Sequence, residues 1–386
     1  MLNKLYLPLS SFYFFYCAVL GAVLPYFGVF LKENNFSTSL IALTSAILLA
    51  SNIVAPNFWG WLTDKFGRRI RIIRLGNLLA CLAFMLMFWV KAYWAIIVVV
   101  IAFSFCWQGL IAQFEVVTLE KIENTKMSYG KIRMWGSVGF VSSVSLLGVL
   151  FEQTSIDYFP HVTLMLFILL WLSTLLVDDA DRKQEIVKPS PILETIKKPA
   201  IILLLAAITL VNVSHGIYYT FFSIYLEGLG YSTSIIGTLW TIAVVAEILM
   251  FLVINRLFMR YNRQTILLVS LFMALVRWGC IAFFSDSIWV LIFSQTLHAF
   301  TFSAIHSVMM ERIKTDFKKE HQGRAQAIYN SVCVSAGAAI GAGVAGWLWD
   351  WSNAGTFMVS TGVAGLALLI TWLSGLTFFK TKHLPS

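Results

Sequence analysis

The sequence predicts an all-α integral membrane protein, with twelve transmembrane helices arranged as two pseudo-symmetric six-helix bundles. This fold class follows from the composition, from apolar runs that recur along the whole chain, and from an internal repeat. Of the 386 residues, 59% are hydrophobic and 12% are charged, whereas a soluble domain carries about 25% charged residues. Such a composition suits a lipid environment rather than water.

Apolar runs of about 18 residues or more are long enough to cross a hydrocarbon core of roughly 30 Å. Backbone N–H and C=O groups find no water in lipid, so we expect each run to be helical. The twelve predicted spans cover residues 11–32, 38–62, 72–90, 94–119, 132–151, 160–178, 199–226, 233–256, 264–284, 287–312, 324–349 and 354–379.

The chain repeats itself at an offset of 195 residues. The string FLKENNFSTSLIAL, from Phe30, aligns with YLEGLGYSTSIIGTL, from Tyr225. A second match aligns GKIRMWGS, from Gly130, with GRAQAIYN, from Gly323, at the start of the fifth and eleventh spans. The repeat indicates two halves of six helices each.

These halves define the predicted domains. Residues 1–178 form the N-terminal bundle, residues 199–386 form the C-terminal bundle, and the polar stretch 179–198 links them. Paired halves of this kind bind substrate near the bilayer midplane and alternate access by rocking.

The formal net charge of +9 is distributed unevenly between the loops. Basic residues follow the even-numbered spans, whereas the opposite loops hold almost only Lys32 and Lys91. The basic residues of these loops are Lys65, Arg68, Arg69, Arg71, Arg74, Lys121, Lys126, Lys131, Arg182, Lys183, Lys188, Lys197, Lys198, Arg256, Arg260, Arg263, Lys314, Lys318, Lys319 and Arg324. The positive-inside rule therefore predicts cytoplasmic termini, and this pattern is not that of a nucleic-acid-binding protein.

A charged hairpin, GWLTDKFGRR, joins the second and third spans. It resembles the signature loop of the major facilitator superfamily, which has the form G-x-x-x-D-R-x-G-R-R. The matching residues are Gly60, Asp64, Gly67, Arg68 and Arg69, with Lys65 in place of an arginine. The resemblance implies the fold of that superfamily and a loop that takes part in its conformational change.

Further strings resemble the phenylpropionate permease branch, which is related to lactose permease and to nucleoside/proton symporters. They are YGKIRMWGSVGF from Tyr129, HGIYYTFFSIY from His215, VVAEILMF from Val244, VRWG from Val276 and LHAFTF from Leu297. The resemblance implies proton-coupled uptake of 3-phenylpropionate or a related aromatic acid across a bacterial inner membrane. One departure is Glu115, which replaces the aspartate usual in that branch.

Ionisable residues at membrane depth are costly, so they are functional candidates. The candidates are Glu115, Arg133, His215, Glu247, Arg277, His298 and His306. Glu247 and Arg277 lie near the centres of adjacent predicted helices, so we expect their side chains to meet. Two interpretations are open: an ion pair that fixes helix packing, or a carboxylate that exchanges a proton beside an arginine that binds an anionic substrate.

Glu115 and His306 occupy matching places in the two halves, because LEKI aligns with MERI. Glu115 and Arg133 resemble the carboxylate and arginine of the sugar site in lactose permease, although a structural tie between helix ends fits equally well. We expect His298 to be a packing residue, and His306 and His215 to line a cavity. Tyr219, beside His215, is a candidate for stacking on an aromatic substrate.

The sequence is interpreted as a secondary active transporter that takes up an aromatic carboxylic acid with protons by alternating access. A proton symporter of a neutral nucleoside or sugar, a drug efflux protein and a non-transporting receptor are the alternatives. Walker loops, catalytic groupings and metal-ligand spacings are missing, so we expect neither an enzyme nor a cofactor or metal site. The expected partners are a small-molecule substrate, protons and the lipid bilayer, and we expect a monomer.

Overall fold

The computed structural model describes residues 2–123, 125–179 and 196–381. Within these ranges twelve helices are long and apolar enough to cross a membrane, as predicted. We number these spans α1 to α12. They are Leu5–Glu33, Thr38–Phe66, Arg69–Phe88, Tyr93–Ile122, Tyr129–Gln153, Ile156–Leu175, Pro199–Gly228, Thr233–Arg260, Arg263–Phe284, Ile288–Asp316, Lys319–Trp351 and Asn353–Ser374.

Most spans extend beyond the apolar runs that predict them. The run 132–151 lies inside α5, which begins at Tyr129 and ends at Gln153. Polar residues continue a helix once it has left the hydrocarbon core, because hydropathy marks the lipid boundary and not the last hydrogen bond. In the polar linker predicted at 179–198, residues 180–195 lie outside the described residues.

Contacts divide the chain into two compact units. Unit 1 comprises Met1–Val187 and Phe222–Thr238, and unit 2 comprises Lys188–Phe221 and Leu239–Ser386. The segment Phe222–Thr238, which we call the α7–α8 hairpin, contains the end of α7, a turn and the start of α8. The bundle boundaries drawn from the repeat stay a prediction.

In unit 1, α1 packs against α5 at a crossing that only glycine permits. A Cβ atom on Gly21 would lie 2.8 Å from the backbone oxygen of Phe140. A Cβ atom on Gly139 would overlap the backbone oxygen of Phe14. Lipid tails are as apolar as leucine, so close van der Waals contact of this kind holds membrane helices together.

Unit 2 repeats this crossing between α7 and α11. A Cβ atom on Gly216 would overlap the backbone oxygen of Ala338, and one on Gly337 would lie 2.8 Å from the oxygen of Thr209. Gly216 is the counterpart of Gly21 at the offset of 195 residues. The repeat seen in the sequence therefore extends to the way its helices pack.

The turns after α1 and α7 are also related by the repeat. Asn35 has a φ of 60° and Gly230 a φ of +88°, and the two residues are 195 positions apart. Both adopt the left-handed conformation, which asparagine tolerates and glycine adopts freely. Each copy of the repeat therefore reverses direction through the same backbone geometry.

The buried apolar side chains of unit 2 form a cluster to which all six of its long helices, α7 to α12, contribute. Ile208 of α7, Met250 of α8, Leu271 of α9, Ile305 of α10 and Cys333 of α11 belong to it. Because this cluster fixes the spacing of these helices, it sets the distances between the polar side chains that they carry.

The glycine crossing generates a stability prediction. Gly216→Ala should lower the midpoint of thermal unfolding in detergent, because overpacking costs about 1–3 kcal/mol. The matched variant is Gly279→Ala on α9, where an added Cβ atom meets nothing within 4 Å. Alanine is a better helix former than glycine, so Gly279→Ala should leave the midpoint unchanged or raise it. Equal midpoints for the two variants would contradict the close approach of α7 and α11.

Candidate functional site

Arg277, on α9, is the most deeply buried charged side chain described in unit 2, with 0% of its surface exposed. Its guanidinium carbon lies 4.5 Å from the ring centroids of both Tyr218 and Trp278. A buried cation is very costly unless its donors are bonded and its charge is stabilised. The two aromatic faces supply part of that stabilisation through cation–π attraction.

The N–H groups of Arg277 donate to side chains of α10. Nη1 donates to Nδ1 of His298 at 2.6 Å and to Oγ1 of Thr301 at 3.2 Å, and Nη2 donates to Oε1 of Gln295 at 3.3 Å. Gln295, His298 and Thr301 are spaced three residues apart, so they lie on one side of α10. All three acceptors are neutral, so they bind the two terminal nitrogens without cancelling the charge, whereas Nε of Arg277 is buried without a hydrogen-bond partner.

The partners of His298 determine its protonation. Arginine has no acceptor, so Nδ1 of His298 must carry a lone pair towards Arg277. The ring proton then lies on Nε2, which is 2.6 Å from Oε1 of Glu247 on α8. His298 is thus a neutral imidazole that accepts from Arg277 and donates to Glu247.

This arrangement corrects the expected contact between Glu247 and Arg277. The two residues do not meet directly, because the imidazole of His298 lies between them. The physical reason is that α10 packs against both α8 and α9, as shown by the bond from Ser303 Oγ to the backbone oxygen of Glu247 at 3.3 Å. His298, expected to be a packing residue, is the link between the two charges.

His215, on α7, completes the surroundings of the guanidinium. Its Nδ1 donates to the backbone oxygen of Val211 at 2.9 Å, which leaves Nε2 as an acceptor. That atom faces Thr301 Oγ1 at 3.2 Å and Arg277 Nη1 at 3.5 Å. Both imidazoles therefore direct a lone pair at the same cation.

Tyr219 lies at the edge of an aromatic group next to His215. Its ring centroid is 5.8 Å from that of His215 and 6.2 Å from that of Trp240, with which it is nearly parallel at 25°. Tyr218 contacts both Trp240 and Trp278, at 5.0 and 5.5 Å. Flat ring faces are thus adjacent to the buried charge.

We define the Arg277 cluster as His215, Tyr218, Glu247, Arg277, Gln295, His298 and Thr301. Burial within it is graded, since Arg277 is fully buried whereas the side chain of Glu247 is 16% exposed. The formal charge of the cluster is zero when Glu247 is ionised and +1 when Glu247 is protonated. Glu247 is the acidic member of the cluster and the more exposed of its two charged residues.

A π-helical segment, Ala299–Ala304, interrupts α10 directly after His298 and contains Thr301. Segments of this kind are frequent at functional sites. A second one, Tyr329–Ala336, interrupts α11. His306 follows the first segment, and its Nδ1 lies 3.2 Å from Oη of Tyr329.

Glu115 and Arg133 come together in unit 1, as the sequence suggests. Arg133 Nε lies 3.7 Å from Glu115 Oε1, and the hydroxyl of Tyr129 donates to the same oxygen at 3.0 Å. The Arg133 guanidinium also lies 5.5 Å from the ring of Tyr13. Both partners are more than a third exposed, which is compatible with a solute site and with a tie between helix ends.

Arg69 of the signature loop forms two ion pairs. Arg69 bonds Asp64 at 3.3 Å within the loop and Glu120 at 3.3 Å at the end of α4. Gly67 ends α2 in the left-handed conformation, with a φ of 66°, and its N–H donates to the oxygen of Thr63 at 2.9 Å. The loop is thereby tied to α4.

Other residues of the loop make individual contacts. A Cβ atom on Gly60 would lie 3.1 Å from Nε2 of Gln113, and Lys65 Nζ lies 5.0 Å from the ring of Trp61. Arg68 is the residue that precedes the first turn of α3. The conformational role of the loop stays a prediction.

Unit 2 has a similar ion pair, which joins the loop after α8 to the end of α10. Arg263, at the start of α9, lies 3.3 Å from Glu311, near the end of α10. Glu311 is the counterpart of Glu120 in the alignment of LEKI with MERI. The second copy thus has a similar arginine–glutamate pair, although Arg263 aligns with Arg68 rather than with Arg69 and Met259 replaces the acid of the signature loop.

The profile of the MFS_1 like family matches residues 6–359. The chain belongs to the major facilitator superfamily. It is a multi-pass membrane transporter rather than an enzyme, as predicted, and its relatives imply a small-molecule substrate.

Two relatives are similar to the chain over nearly its full length. The chain is 32% identical over 387 residues to the "Probable 3-phenylpropionic acid transporter" of Escherichia coli (strain K12), covering 97% of each chain. It is 22% identical to "Uncharacterized transporter YwbF" of Bacillus subtilis (strain 168), covering 98% of this chain and 95% of the relative.

Two crystal structures of the nucleoside transporter NupG, one of them of a point mutant, have the same fold. The mutant gives a TM-score of 0.88 with 16% sequence identity, and the match covers 96% of this chain and 99% of that one. The other gives a TM-score of 0.85, also with 16% identity, and covers 97% of this chain and 99% of that one. At this identity the similarity concerns the fold.

Several residues around Arg277 are not singled out by the sequence of this transporter. Four residues contact predicted site residues. Arg277 donates to Gln295 and Thr301. The ring of Trp278 contacts His215, and the ring of Trp240 stacks with Tyr219. A signal for two of them exists, since Gln295 and Thr301 flank His298 at three-residue spacing. Trp240 and Trp278 carry no such signal among 14 tryptophans.

The bridging role of His298 predicts that His298→Leu destabilises the protein. Leucine can neither accept from Arg277 nor donate to Glu247, and a buried charged group left without its partner costs about 1–3 kcal/mol or more. The midpoint of thermal unfolding in detergent should fall. His161→Leu on α6, where the side chain is exposed, should change stability by no more than about 0.5 kcal/mol. Equal midpoints for the two variants would mean that His298 does not link the charges.

Proposed function

We propose that this transporter takes up an aromatic carboxylic acid, 3-phenylpropionate or a close relative, together with protons, by alternating access. The observation that carries the proposal is the neutral imidazole that joins a fully buried arginine to a partly exposed glutamate. The protein would lie in a bacterial inner membrane as a monomer, with its termini and basic loops in the cytoplasm.

The charges of the Arg277 cluster give a physical reason for coupling. With Glu247 ionised, the charges of Glu247 and Arg277 cancel, and a substrate carboxylate would add an uncompensated negative charge. With Glu247 protonated, the charge of Arg277 is uncompensated and attracts the carboxylate. Charge imbalance is costly where the dielectric constant is low, so proton and anion bind best together.

Arg277 acts in this scheme through its neighbours. The sequence suggests that Arg277 itself fixes the substrate carboxylate, but in this conformation no part of its surface is exposed. We therefore assign Arg277 the positive charge, His298 the link, and Glu247 the proton. Direct contact between substrate and protein would occur at the Glu247 edge of the cluster.

The aromatic ring of the substrate has suitable surfaces nearby. Tyr219 and Trp240 present nearly parallel rings next to His215. Stacked or edge-on aromatic pairs contribute about 0.5–1.5 kcal/mol beyond the area that they bury. The relative from Escherichia coli, whose printed name specifies 3-phenylpropionic acid, supports the same substrate class.

Two further groups are candidates for carrying protons or contacting solute. His306 is paired with Tyr329, and Glu115 is paired with Tyr129 and Arg133. They occupy matching places in the repeat but differ in chemistry, since one is an imidazole and the other a carboxylate. The proposal does not require either group for charge balance.

Arg277→Gln tests the charge that the scheme requires. Accumulation of labelled 3-phenylpropionate in proteoliposomes under a pH gradient should fall at least about tenfold, equivalent to roughly 1.4 kcal/mol, while the protein still reaches the membrane. The control is Arg260→Gln, an exposed arginine at the end of α8, which should retain uptake. Unchanged uptake by Arg277→Gln would refute the proposal.

Competition in the same assay separates the substrate classes. Benzoate-like acids should compete with the labelled substrate, whereas nucleosides and sugars should not. Competition by a nucleoside or sugar alone would favour symport of a neutral solute, and raised tolerance of expressing cells to lipophilic compounds would favour efflux.

Glu247→Gln tests which residue carries the proton. Glutamine is neutral at every pH, so the variant resembles the protonated state and should bind 3-phenylpropionate with an affinity that does not depend on pH. Binding to the unaltered protein should strengthen as pH falls, because the protonated fraction of Glu247 rises. The affinity of each protein is measured by ligand-induced thermal stabilisation in mildly acidic and mildly alkaline buffers.

The control for this experiment is Glu152→Gln, an exposed glutamate near the end of α5, which should keep the pH dependence. Glu247→Gln should also lose uphill accumulation while retaining exchange of internal for external substrate. A pH dependence that persists in Glu247→Gln would assign the proton to another group.

A further inference from the structure

The α7–α8 hairpin, Phe222–Thr238, is packed closely within unit 1. A Cβ atom on Gly237 would lie 2.6 Å from both Tyr26 Oη and the backbone oxygen of Val144. Tyr26 Oη itself donates to that oxygen of Val144 at 2.7 Å. Thr233 Oγ1 donates to the backbone oxygen of Gly148 at 2.8 Å. The start of α8 is thus seated against α1 and α5.

An ion pair joins the other arm of the hairpin to α1. Lys32 Nζ lies 2.8 Å from Glu227 Oε2, with the lysine side chain 38% exposed and the glutamate side chain 22% exposed. A partly buried pair is screened by salt less than an exposed one, and it still responds to ionic strength. This pair is the electrostatic part of the contact.

The positions of these two residues in the repeat are informative. Lys32 and Glu227 are 195 residues apart, so they are the same position in the two copies. Two lysines or two glutamates in contact here would repel each other. The copies carry opposite charges instead, which turns a potential repulsion into an attraction.

Lys32 is also an exception to the charge pattern of the loops. Lys32 and Lys91 are almost the only basic residues on the side opposite the basic loops. The positive-inside rule disfavours a lysine there, which suggests that Lys32 is present for a specific contact.

We propose that the Lys32–Glu227 pair is a latch that holds the α7–α8 hairpin against α1 and α5 and sets how readily the hairpin releases. The proposal builds on the alternating access proposed above, in which rocking requires contacts of this kind to break and reform. It does not depend on which solute is carried or on proton coupling.

The latch is tested by the accessibility of the hairpin in purified protein. Ser234 is a partly buried residue whose Cα lies 3.2 Å from the position of a Cβ atom on Gly148, so Ser234→Cys is a small change at the seat of the hairpin. The rate at which the introduced cysteine reacts with N-ethylmaleimide in detergent reports how often the α7–α8 hairpin releases. Protein without Ser234→Cys gives the background from the five native cysteines.

The Ser234→Cys protein is the parent for the charge variants. Adding Lys32→Glu places two negative charges together and should speed labelling of Cys at position 234 about two- to fivefold, the range expected for a pair of this strength. Glu227→Lys should do the same. The double variant Lys32→Glu with Glu227→Lys restores opposite charges and should return the rate to that of the parent. Lys91→Glu, a lysine on the same side, should have no effect.

The latch is overturned if the single variants label at the parent rate, or if the double variant labels as fast as the single ones. Should a charge reversal prevent folding, ionic strength gives an independent test. Added salt should speed labelling of the parent but not of Lys32→Gln, which has no charge at this position. An identical salt response in both proteins would likewise reject the latch. Since no substrate is used, these outcomes are independent of the proposed uptake of an aromatic acid.

Discussion

The need to stabilise one buried positive charge organises the polar interior of unit 2. Arg277 has no exposed surface, so its guanidinium depends on acceptors supplied by other helices and on the ring faces of Tyr218 and its neighbour Trp278. Side chains from α7 and α10 meet this need without any direct carboxylate contact, and the counter-charge on α8 is reached through His298. Neutral acceptors hold the cation in place without cancelling its charge, which is the property that the proposed uptake of an aromatic acid requires.

The sequence predicts the spans, the signature loop and the repeat because each depends on local composition or on spacing along the chain. Glu247 and Arg277 are likewise identifiable, since charges in apolar runs are rare. The sequence does not predict that His298 separates them, because that depends on how α10 packs against α8 and α9. Trp240 and Trp278 are equally hidden, as nothing in a list of tryptophans shows which ring faces a cation.

Duplication has left a shared scaffold with different chemistry in each copy. Crossing glycines and left-handed turns are retained, and each half has an arginine–glutamate contact after its second helix, although the two arginines do not align. At other matched positions the residues differ in character, as with Glu115 and His306. Backbone contacts tolerate few residue types, so they are kept, whereas side chains in the polar interior are free to specialise.

The π-helical segment of α10 has a consequence for the direction in which its side chains point. Each residue of an α-helix turns the chain by about 100°. If the segment Ala299–Ala304 became regular α-helix, its turn would contain one residue fewer. His306 would then rotate by about 100° around the helix axis relative to His298. The contact of His306 with Tyr329 would then open while the link between Arg277 and Glu247 stayed intact. Such a change in α10 would reorient the imidazole of His306 without moving that of His298.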